Sequence, residues 1–240
     1  MLSVSRSAFA SATIAAKAWI LIDENDSVLT SKNPSAKLPP ASTVKLVTAM
    51  VALDHLDPAT TVTVSKKAKA ARSGKPRLQA DEELTVNDLL HLALMKSNNS
   101  AAVALAEAAG GSEDAFVALM NQKVHEIGAN DTHFVTASGL PKGIQYTTAR
   151  DLTTILKKAL TYPLIKNILG KKVWMVKTAA GRELFLANTD NLLWRRKFWQ
   201  GPGPDRLSTG PADGPGTDGC PLVYAQRTID PARLFASFPV

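Results

Sequence analysis

Ser42-Thr43-Val44-Lys45 sets a hydroxyl and an amine three residues apart, on one face of a helix. A serine hydroxyl is a poor nucleophile until a neighbouring base takes its proton, and a lysine serves as that base when burial favours its neutral form. Lys45 is the one charge in the apolar stretch Ala41 to Leu53, which suits that task. The N-terminus of a helix also directs backbone N–H groups at a developing oxyanion. The same four residues equally describe a capping serine and a lysine that snorkels to solvent. Ser97-Asn98-Asn99 forms a second constellation, at a break between two apolar segments. A second serine beside a Ser/Lys pair relays a proton to a leaving group, and an amide such as Asn99 holds a substrate carbonyl or the lysine itself. Taken alone, this segment is also good helix-capping chemistry.

These residues need elements to hold them. The chain has 240 residues, 45% hydrophobic and 20% charged, enough for one domain with a real core and too apolar for disorder. Cys220 has no partner in the chain, so a disulfide scaffold is excluded. No run approaches the apolar length of a membrane-spanning helix, and the net charge of +7 permits attraction to an anionic surface. Residues 19–23 and 28–30 read as strand, turn and strand, and 41–53 as a buried helix. Residues 60–64 are a strand and 66–77 a basic loop. Thr85 opens a second helix, a third ends at Gly110-Gly111, a fourth runs over 113–127, and Thr148 opens a fifth that stops before Pro163. A hairpin over 173–185 follows. Strands, a block of helices and strands again predict a helical cluster packed on a mainly antiparallel sheet, an α/β (α+β) fold.

The two constellations, 55 residues apart, resemble those of the serine D-alanyl-D-alanine carboxypeptidases, the low-molecular-mass penicillin-binding proteins. The stretches AWILIDENDSVL, LPPASTVKLVTAMVAL, LLHLALMKSNNSAAVALAEAAGGSEDAFVALMN, GANDTHFVTASGL, YTTARDLTTI and NTDNLLW are similar to that family in its order, over roughly residues 18–194. The resemblance implies a penicillin-binding/β-lactamase-like fold. It makes Ser42 the acylated nucleophile, Lys45 its base, Ser97 a proton shuttle and Asn99 a substrate-binding residue. S-x-x-K is a signature shared by penicillin-binding proteins and class A β-lactamases. It implies a location in the cell envelope, a peptidoglycan stem peptide or β-lactam as partner, and no metal or cofactor.

The family's third motif, Lys-Thr-Gly, has two candidates. Lys177-Thr178-Ala179 precedes NTDNLLW and better fits the hairpin, with Ala180-Gly181 as its turn. Ser208-Thr209-Gly210 has the right position but carries Ser208 in place of the lysine. The next residue, Pro211, has no N–H to serve as second oxyanion donor; losing one such donor costs about 10²–10³ in turnover in another serine hydrolase. Composition changes here too: no lysine follows Lys197, and residues 201–220 hold six of the 14 glycines and four of the 14 prolines. A change of reading frame after about Trp194 accounts for both features, because the codons of Pro204-Asp205-Arg206-Leu207 read one base later can spell x-Thr-Gly-Tyr. A divergent C-terminal segment is the alternative. The expected organisation is a leader or residual export signal over 1–18 and one transpeptidase-like domain over 19–240, with 195–240 divergent.

The other candidates read as structural. His55, His91, His125 and His133 lack metal-ligand spacing. The aromatic group Trp194, Phe198 and Trp199 reads as packing, and the basic loop 66–77 as solvated, without the aromatics of a nucleic-acid site. Two rival functions stand beside the carboxypeptidase: a promiscuous esterase or weak β-lactamase on the same fold, and a non-catalytic binder of cell-wall peptide.

Overall fold

The computed structural model describes residues 16–23, 25–194, 222–228 and 230–239. β1 (Ala16–Ile22) buries Ala16, Ala18, Ile20 and Ile22 on one face, the period-two pattern of a strand with one side in the core. It pairs antiparallel with β2 (Val28–Lys32), as the strand–turn–strand reading requires. Its first residues lie in the stretch assigned from sequence to the leader.

On its other edge β1 pairs with β8 (Asp230–Pro239), which pairs in turn with β7 (Leu222–Thr228). The sheet order is β2-β1-β8-β7, antiparallel throughout. Of these two late strands, β8 lies directly beside the first strand of the fold and β7 beyond it.

The helices assemble around α1 (Val44–His55), whose residues from Val44 to Ala52 are all buried. A helix apolar on every side belongs in the middle of a cluster. It packs against α3 (Val86–Met95), α4 (Asn99–Gly110), α5 (Glu113–Glu126) and α6 (Ala149–Leu160). α6 also lies on β1, β7 and β8, so it joins the cluster to the sheet.

Side-chain caps start these helices: Thr85, Asn98, Ser112 and Thr148 each accept from the backbone N–H three residues on. Gly111 ends α4 in the left-handed conformation, at φ 71°.

One sequence expectation needs correction. The basic segment is not all loop: Ser65 caps a short helix, α2 (Lys66–Ala70), which buries Ala68. The fifth helix stops before Pro163, as expected, at Leu160; the element not foreseen is α7 (Pro163–Gly170), whose first turn that proline occupies, where its missing N–H has no intrahelical partner to lose.

Two small antiparallel pairs complete the described fold: β3 (Thr61–Thr63) with β4 (Glu83–Thr85), and β5 (Val173–Lys177) with β6 (Glu183–Ala187). Lys177-Thr178-Ala179 is the end of β5 and the start of its turn, as expected, with Gly181 at φ +84°.

Candidate active site

Ser42 sits in a 3₁₀ turn (Ala41–Thr43) that runs directly into α1. Its hydroxyl is partly exposed, while Lys45, one turn on, is 2% exposed. Lys45 Nζ lies 3.3 Å from Ser42 Oγ and donates to the carbonyl of Ser138 at 2.7 Å. The lysine is therefore turned toward the serine and held there.

A strap over residues 136–140 does the holding. Thr48 Oγ1 donates to the Ala137 carbonyl at 2.7 Å, one turn along α1 from Lys45. Glu113 Oε1 accepts from the Ala137 N–H, and Thr136 Oγ1 accepts from the Gly139 N–H. Gly139, at φ +81°, passes so close to the turn before Ser42 that a Cβ there would lie 1.9 Å from the Ala41 carbonyl oxygen. Only glycine permits this approach. Ala41 is itself in the left-handed region at φ 45°, and Thr43 Oγ1 donates to the Pro40 carbonyl. The turn that carries Ser42 is thus clamped on both sides.

Ser97 stands at the α3–α4 junction, partly buried, with φ +52°. Both flanking helices pack on α1. On the α3 side, Thr189 N–H and Oγ1 both donate to the Met95 carbonyl, and Lys96 Nζ donates to the Ala187 carbonyl. The following three residues are laced to the basic segment: Asn98 Nδ2 donates to the Pro76 carbonyl, Asn99 Nδ2 to the Arg72 carbonyl, and Ser100 Oγ to the Ala71 carbonyl. Ser73 Oγ accepts from the Ser100 N–H. Ser97 is held in an unfavourable backbone conformation by its neighbours on both sides.

Ser208, Thr209 and Gly210 lie outside the described residues, as do Pro211, Phe198, Trp199 and Cys220. Within them, Trp194 donates from its indole to the Asn188 carbonyl. His91 is fully buried and stacks on Trp174, 4.1 Å between ring centroids. Its Nδ1 bonds the Asn87 carbonyl and its Nε2 faces Lys171 Nζ at 3.3 Å; burial, foremost, lowers its pKa to about 4.

The chain matches the sequence model described as D-alanyl-D-alanine carboxypeptidase over residues 5–213. The chain belongs to this family. DacF of Bacillus subtilis, a D-alanyl-D-alanine carboxypeptidase, is 32% identical over 201 residues, 81% of this chain and 50% of DacF. The solved D-alanyl-D-alanine carboxypeptidase of Mycobacterium tuberculosis superposes with a TM-score of 0.81 at 30% identity, over 93% of this chain and 82% of that one. A Streptomyces DD-transpeptidase superposes with a TM-score of 0.81 at 25% identity, over 94% and 91%. Among the curated relatives, the first three are spanned over 50–62% of their length.

Sequence reasoning missed the strap: Glu113, Ala137, Ser138 and Gly139 act largely through backbone groups, which carry no residue signature. GANDTHFVTASGL was visible as a family-like stretch, yet nothing in its letters tells that a carbonyl within it meets a lysine 93 positions away.

Proposed function

We propose that this chain is a serine acyl hydrolase that removes the terminal D-alanine from D-Ala-D-Ala cell-wall peptides, with Ser42 as nucleophile. The observation that carries this reading is the buried Lys45, donating to the Ser138 carbonyl and 3.3 Å from Ser42 Oγ. In its neutral form the amine keeps one N–H on that carbonyl and offers its lone pair to the serine proton.

Ser42 Oγ attacks the carbonyl carbon of the scissile amide as its proton passes to Lys45 Nζ. The tetrahedral intermediate collapses with cleavage of the C–N bond, and Ser97 passes its proton to the departing D-alanine amine while recovering the one that Lys45 took, so both residues return to their starting forms. A water then attacks the acyl-serine ester, releasing the shortened peptide and returning the proton to Ser42. Asn99 is the substrate-binding amide. A β-lactam acylates the same hydroxyl through the same first step. The natural setting is the cell envelope, where the stem peptide is found.

One feature of the sequence favours a second reading. Ser208 stands where the family has a lysine and Pro211 offers no N–H, so recognition of a terminal carboxylate is weakened and simple esters become competitive substrates. A promiscuous esterase or weak β-lactamase keeps the same serine chemistry.

The deciding experiment is intact-protein mass spectrometry after incubation with penicillin. A single acyl adduct, lost in Ser42→Ala, is expected; a folded sample that acquires none is a non-catalytic binder of cell-wall peptide and the proposal fails. D-Alanine release measured beside nitrophenyl-ester hydrolysis separates the two enzymatic readings.

A further inference from the structure

Residues 66–79 contain six cations, Lys66, Lys67, Lys69, Arg72, Lys75 and Arg77, and no acid. Lys67 is paired with Glu113. The later ones surround two cavities. One, of about 450 Å³, is lined by Lys69, Arg72 and Arg77 together with Ser73, Gln79 and Ser100. The other, of about 670 Å³, is lined by Lys75, Arg77, Lys96 and Arg182 over the exposed ring of Phe185. Among the described residues, no carboxylate lines either cavity. Arg182 is already neutralised by a two-point pair with Glu82, at 2.6 and 2.7 Å. Among the described residues, Lys69, Arg72, Lys75 and Arg77 form no ion pair.

These cations lie on the segment to which the second constellation is tied. Five hydrogen bonds link Asn98, Asn99 and Ser100 to Ala71, Arg72, Ser73 and Pro76. Asn99 holds the carbonyl of Arg72 at 2.5 Å, and Arg72 contributes to the first cavity. Ser100 belongs both to that cavity and to the helix that Asn99 begins.

We infer that the two cavities form a carboxylate-binding subsite, which takes free acid groups of a peptide upstream of the bond that Ser42 attacks. The inference rests on the proposed function for the position of that bond. Arginine and lysine recognise carboxylates by charge-assisted hydrogen bonds, and two compact cavities sharing Arg77 suit two separated acid groups on one peptide. A long phosphodiester polymer fits less well, because the exposed Asp81 and Glu83 close the cationic run at one end and would repel a continuing anionic chain. An acid group seated on Arg72 and Arg77 orders the loop that holds Asn99, so an acidic substrate is bound and aligned together.

The test uses the full chain carrying Ser42→Ala and two peptides ending in D-Ala-D-Ala, one with glutamate residues upstream and one with glutamine in their place. Calorimetric titration is expected to show the acidic peptide bound about tenfold more tightly at low salt, with the ratio shrinking as salt rises. Arg77→Gln, and separately Lys69→Gln, bring the ratio toward one. Both side chains are exposed, so neither change threatens folding. Equal affinity for the two peptides, absence of binding, or a ratio untouched by both substitutions overturns the inference. So does a poly(glycerol phosphate) chain that displaces both peptides while losing affinity in the same variants, which would assign the cations to a wall polymer. If the ratio holds but the unsubstituted chain hydrolyses neither peptide, the subsite stands and the proposed function falls.

Discussion

At the scale of single residues, Lys45 has the largest consequence for its size. A buried lysine is costly to keep, and its retention against Ser42 makes sense as chemistry rather than as stability. Lys45→Met fills nearly the same volume without the charge. Its penicillin acylation rate, followed by stopped-flow fluorescence, is expected to fall by about 10²–10⁴, the worth of a general base. Its urea midpoint should stay level or rise; a variant that loses activity only by unfolding would refute the assignment. Gly139 makes the opposite case, a residue with no side chain whose emptiness is required. Gly139→Ala adds a methyl 1.9 Å from the Ala41 oxygen at a backbone φ of +81°. The expected cost is about 2–4 kcal/mol, from overpacking and left-handed strain together. Acylation should slow as well, because the displaced atoms are those that flank Ser42. Chemical denaturation and acylation kinetics on the same sample check both parts.

At the scale of elements, much was legible where local rules sufficed. Thr85 and Thr148 announced their helices, and the unbroken apolar run after Ala41 announced a central one. α2 escaped because five residues with a single buried alanine offer no periodicity, and α7 because Pro163 reads as a stop and acts as a start. The pair Ser42 and Lys45 was legible as spacing on one helix. Their partners were not, since the Ser138 carbonyl and the lacing of residues 98–100 to 71–76 arise only when distant segments meet. α3 shows a further dependence between elements. His91 on α3, Lys171 after α7 and Trp174 on β5 meet in one stack: Lys171 Nζ lies 3.9 Å from the Trp174 ring centroid, and the indole N–H donates to Asp88 Oδ1. His91 is held neutral there. Its folded pKa, about 4, lies below the unfolded value near 6.5, so the unfolded chain binds the extra proton first. The stability that depends on neutral His91 is complete above pH 6.5 and drains away as pH falls toward 4. The maximum effect is about 3 kcal/mol by the linkage relation. Urea unfolding at pH 7 and pH 4.5, for the native chain and His91→Gln, should give a smaller pH difference in the variant. Identical differences would remove His91 as the cause.

At the scale of the whole molecule, the sheet decides how the parts cohere. β1 is flanked by β2, its neighbour in sequence, and by β8, about two hundred residues later. α6 spans both, so the helical cluster and the sheet share one seam. Deleting residues 230–240 leaves β1 with an unpaired edge and α6 with an uncovered face. The shortened chain is expected in the insoluble fraction, and hydrogen exchange at Ala18–Ile22 in any soluble remainder should be faster than in the full chain by several orders of magnitude. Unchanged protection would show that β8 is dispensable. The same arrangement bears on how the protein comes into being. During synthesis the first strand leaves the ribosome long before its second partner exists, and the pairing of β1 with β8 must wait until some two hundred further residues have been made. Such distant pairing folds slowly and leaves a sticky intermediate exposed meanwhile. Until β8 emerges the nascent chain carries one edge of β1 open, and a chaperone that shields extended segments is the helper its topology calls for.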